Sequence, residues 1–105
     1  MKFLPAEVNV LGKKYEIIYC DNPIDVDIAG RESLFGSTDF WERKIRVYSK
    51  QTGEDMVDTV IHEILHIIDN DLNIRWNESD SEDSITLLAL GLADVLMRNN
   101  WLCEI

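Results

Sequence analysis

The period of apolar positions changes halfway along the chain. Val8-Asn9-Val10-Leu11 and Tyr15-Glu16-Ile17-Ile18-Tyr19 flank Gly12-Lys13-Lys14, which predicts a hairpin closed by a glycine-containing loop. Asp21 to Asp27 predicts a loop. Its aspartates Asp21, Asp25 and Asp27 lack the glycine and terminal glutamate that a calcium loop needs at fixed offsets. A second hairpin is expected between Ser33 and Ser49. Leu34-Phe35-Gly36 and Ser37-Thr38-Asp39-Phe40 lead to a turn at Trp41-Glu42-Arg43-Lys44, and Ile45-Arg46-Val47-Tyr48 alternates as a half-buried strand does. Arg43, Lys44 and Arg46 mark its exposed face.

The second half has helical spacing. Met56, Val57, Val60, Ile61, Ile64, Leu65, Ile67 and Ile68 recur at threes and fours, predicting a helix from Glu54 to about Asn70. Glu54 and Asp55 suit its first turn, where the helix dipole favours negative charge. A second helix is expected from about Ser81 to Asn99, with Ile85, Leu88, Ala89, Leu92, Val95 and Leu96 as its inward stripe. Arg98 complements its dipole, and Asn99-Asn100 can stop it. Four strands followed by two helices predict an α+β fold: a small antiparallel sheet of two hairpins packed on the first helix, with a second helix C-terminal to it.

At 105 residues the chain has room for one domain, residues 1–105, and 46% apolar residues can fill its core. No apolar run approaches the roughly 20 residues of a membrane helix. The opening residues lack the apolar stretch of a secretory signal, and two cysteines (Cys20 and Cys103) suit a reducing compartment, so a cytoplasmic protein without membrane partners is expected. Both cysteines are expected as small core hydrophobes, and Trp41, Trp76 and Trp101 as packing residues. The net charge of −10 is one-sided. Residues 1–50 carry 8 basic and 8 acidic side chains, whereas residues 51–105 carry 2 and 12. That half repels phosphate backbones, so direct nucleic-acid binding is not expected.

His62-Glu63-Ile64-Leu65-His66 is an HExxH motif in the middle of the first predicted helix. Residues four apart share a helical face, so both imidazoles can reach one ion, and zinc is the cofactor expected. Glu63 stands beside the first ligand and is the natural general base. Two histidines placed at random fall four apart only roughly 2% of the time, which argues against coincidence. A catalytic zinc usually takes three protein ligands. The HExxHxxGxxH arrangement is excluded, because Asp69 and Leu72 stand where it needs glycine and histidine. A carboxylate remains, and Glu82 is the expected third ligand, with Asp83 in reserve and Glu78 less well aimed. The competing role for Glu82 is a helix cap, since Ser79-Asp80-Ser81-Glu82 fits a capping box. Asp69, seven residues after His62, is either a partner that orients an imidazole or a solvated carboxylate.

Together these residues resemble the compact gluzincin metallopeptidases, in particular the minigluzincins and the short phage- and prophage-encoded members of the ImmA/IrrE-like group. The resemblance spans roughly residues 34–99, from the Gly36–Tyr48 hairpin through Met56–Asp69 to Glu82–Leu92. It implies a zincin-like fold and zinc on His62, His66 and Glu82, with Glu63 as base. It also implies that a strand of the second hairpin lies at the cleft rim and pairs with an extended peptide, giving a peptide or protein as substrate. Tyr48 is the candidate for stabilising the oxyanion. The rival expectation is a non-catalytic phage or prophage binding module whose acidic half engages a basic host protein, with zinc structural or absent.

Overall fold

In the computed structural model, residues 6–27, 35–75 and 81–98 are described. Strands β1 (Glu7–Val10) and β2 (Lys13–Cys20) form the first hairpin, and β3 (Gly36–Asp39) and β4 (Lys44–Tyr48) the second. Helix α1 covers Gly53–Leu72 and α2 covers Ser81–Arg98. The first turn is only Leu11-Gly12, both at positive φ (53° and 82°), as a two-residue hairpin turn requires. Asn9 Oδ1 accepts from Gly12 N at 3.0 Å and stabilises it. In the second turn Asp39 Oδ1 accepts from Trp41 N and Glu42 N, both at 3.0 Å.

The α+β class and both hairpins are as expected, but the sheet is not purely antiparallel. Its order is β1-β2-β4-β3, and β2 pairs with β4 in parallel, Ile17 opposite Ile45 and Tyr19 opposite Val47. The segment after β2 does not fold straight back. A 3-10 turn at Pro23–Val26 carries the chain onward, β3 takes the outer edge, and β4 returns between β3 and β2. The predicted loop therefore contains a helical turn, started by Asn22 Oδ1 accepting from Ile24 N.

Helix α1 is the middle of three layers. Val60 and Ile67, with Met56 and Ile64, meet Val10, Tyr15, Ile17, Ile45 and Val47 of the sheet. Val57, Ile61 and Leu65 meet Ile85, Ala89 and Ala93 of α2. The inward stripe of α2 is thus Ile85, Ala89, Ala93 and the partly buried Leu96. Leu88, Leu92 and Val95, expected inside, are 41%, 43% and 46% exposed. Alanine at 89 and 93 lets the helix backbones approach, and the larger leucines turn away. Trp41, expected to pack, is 94% exposed at the tip of its turn. Trp76, Trp101, Cys103 and the Asn99-Asn100 stop lie outside the described residues. Cys20 is buried as expected, and burial pushes its thiol pKa up. No helix among the described residues is long and apolar enough to cross a membrane.

Candidate metal centre

With two faces of α1 packed, its third face carries the histidines. At 100° per residue, His62 and His66 stand about 120° from both the sheet-facing and the α2-facing stripes. Each is partly exposed, where neighbours at 61, 63, 65 and 67 are buried. Their Nε2 atoms approach to 3.1 Å, with rings edge-to-face at a centroid distance of 4.8 Å. A hydrogen bond at this distance needs a proton on one of the two nitrogens, and a cation would take the place of that proton.

The separation suits a metal. Two nitrogens each about 2.0–2.1 Å from a tetrahedral zinc stand roughly 3.3 Å apart, so His62 and His66 need little rearrangement to share one ion. Among the described residues, no group of three or more His, Cys, Asp or Glu side chains is gathered around a common point. The expected third ligand, Glu82, and its reserve Asp83 fall on the first turn of α2, and their side chains lie outside the described set. Glu78 and the start of the capping box at Ser79-Asp80 lie outside the described residues.

Glu63 is 7% exposed and reaches the sheet rather than solvent. Its Oε1 accepts from the Thr38 hydroxyl at 2.7 Å. Gly36 lies directly over it: a Cβ there would stand 3.2 Å from Glu63 Oε2 and 2.6 Å from Thr59 Cγ2. Any larger residue would wedge β3 off α1. Nothing in the spacing around HExxH points to Thr38, but glycine inside a strand is a known sign of close backbone approach, and Gly36 carried that sign.

Asp69 is 4% exposed, so the solvated alternative for it falls. It sits near the end of α1, where Asn73, in left-handed geometry, donates its N–H to the Asp69 carbonyl. Asp58, one turn before His62, is half-buried. Burial pushes its carboxyl pKa up, His62 pulls it down and Asp55 raises it. Its Oδ1 is buried without a hydrogen-bond partner among the described residues. Asp55, Asp58 and Thr59, together with Phe35, Tyr48 and Gln51, line an open cavity of about 470 Å³. Tyr48 therefore faces this cavity, its ring tilted against Phe35 at 6.3 Å.

No family model, no curated protein and no solved structure matches this chain.

Proposed function

We propose that this chain is a zinc-dependent peptidase. The observation that carries the reading is the convergence of His62 Nε2 and His66 Nε2 at 3.1 Å beside a buried glutamate, the arrangement HExxH chemistry calls for. His62 and His66 hold the ion, with Glu82 as third donor and Asp83 in reserve. When bound, zinc polarises the scissile carbonyl and makes water acidic near neutral pH. Glu63 takes the proton of the attacking water and passes it to the leaving amine. The position of β3 at the sheet edge, against the Glu63 side of α1, supports docking of an extended peptide by strand addition.

Replacing Glu63 by glutamine keeps the side chain's shape and removes the base. Turnover of fluorescein-labelled casein by Glu63→Gln is expected to fall at least about a hundredfold. Zinc measured by elemental analysis should stay near that of the native chain. Undiminished turnover would overturn the reading. The rival, a binding module for a basic host protein, draws on the 12 acidic residues of the second half. It predicts no turnover, and a basic partner held equally well by His62→Ala.

A further inference from the structure

We propose that Thr38 is a positioning residue for Glu63, an inference that rests on the peptidase reading above. The Thr38 hydroxyl donates to Glu63 Oε1 at 2.7 Å, across a sequence separation of 25 residues. Such a contact is made by the fold, not by local chain geometry. Threonine is stiff at χ1, and its backbone is tied into β3 by the pairing of Thr38 with Ile45. The hydroxyl therefore approaches the carboxylate from a fixed direction. The missing side chain of Gly36 lets the other carboxylate oxygen lie where a Cβ would come within 3.2 Å. One strand thus confines the carboxylate twice, by a donor on Oε1 and by bare backbone against Oε2.

A glutamate has three side-chain torsions, and an unconstrained one samples several of them. Orientation is what a general base needs first, since proton transfer requires hydrogen-bond reach to the attacking water. Burial alone would enclose Glu63 without deciding which way its carboxylate turns. The Thr38 hydroxyl adds a directed hydrogen bond that favours one orientation. Serine keeps the donor and valine keeps the shape without it, so the two substitutions separate hydrogen bonding from packing.

The test has two arms. Zinc-loaded protein is assayed on casein, then on a quenched-fluorescence peptide made from the first casein site cleaved. Thr38→Val should lower kcat about tenfold or more with KM little changed, and Thr38→Ser should stay within about threefold of the native chain. In the second arm, metal-free protein is unfolded in urea as a double-mutant cycle of Thr38→Val and Glu63→Ala. The two substitutions should be non-additive, because each removes the same hydrogen bond. Additive effects overturn the proposal, as does a Thr38→Val enzyme with native kcat, or a Thr38→Ser enzyme as slow as Thr38→Val. Failure of the peptidase reading looks different. It shows as a native chain without turnover, or as Glu63→Gln with undiminished turnover, and it removes the base that Thr38 is proposed to position.

Discussion

Tyr15 is 1% exposed in the core between the sheet and α1, and it is the largest fully buried side chain among the described residues. Burial raises its pKa above 10.0, Asp71 and Asp39 add to the rise, and Arg43 opposes it. The neutral phenol is thus favoured in the folded chain. The stability it contributes is fully present below the unfolded value near 10 and is lost as pH rises toward the raised folded one. The urea midpoint should fall as pH rises through and above about 10, and Tyr15→Phe should flatten part of that fall, the raised Tyr19 phenol also contributing to it. Parallel curves for the two proteins would refute this. Legibility at this scale depends on distance along the chain. His62 and His66 could be paired on paper because helical spacing fixes residues four apart. Thr38 and Glu63 could not, since only the topology brings β3 onto α1. Trp41 departs from the packing expected of it because separation in sequence says nothing of local surroundings, and at a hairpin tip it is 94% exposed.

Helix α1 is held at both ends by polar side chains acting on the backbone. Thr52 Oγ1 accepts from Asp55 N at 3.2 Å, Glu54 and Asp55 complement the dipole, and Asn73 closes the other end in left-handed geometry. Thr52→Ala should therefore destabilise the fold by about 1 kcal/mol, read as a lower urea midpoint at unchanged m-value. No change would mean that the sheet and α2 alone set the helix start. Helix α1 was legible because its two packed stripes and its histidine face differ in residue type. Helix α2 was legible in its extent, Ser81–Arg98, but only partly in its inward stripe, because leucines surround it. Leu87, Leu88, Leu90 and Leu92 are all exposed, so periodicity offered several stripes of equal merit, and the backbone approach allowed by Ala89 and Ala93 chose among them. The hairpins could be read from their turns. Their parallel junction could not, because Asp21–Asp27 carries no period that reports where the next strand will lie.

Over the whole molecule the net charge of −10, concentrated in residues 51–105, attracts cations whether or not a specific site exists. Zinc binding to the acidic surface must therefore be told apart from zinc on His62 and His66. A ligand that binds only the folded chain stabilises it by mass action, by about 2.7 kcal/mol at a hundredfold excess over Kd. For a domain of this size that raises Tm by roughly 10–20 °C. Zinc at low excess in about 0.15 M salt should produce such a rise in the native chain, and a chelator should reverse it. In His62→Ala and His66→Ala the rise should be lost, because one imidazole cannot hold the ion against water. Glu63→Gln, which leaves the ligands in place, should keep it. Magnesium prefers oxygen ligands and should raise Tm little in any of these proteins. An equal zinc shift in the native chain and in His62→Ala would assign the ion to the acidic surface instead. Loss of the shift at high salt in every variant would point the same way, since screening weakens diffuse attraction far more than direct coordination by imidazole nitrogen.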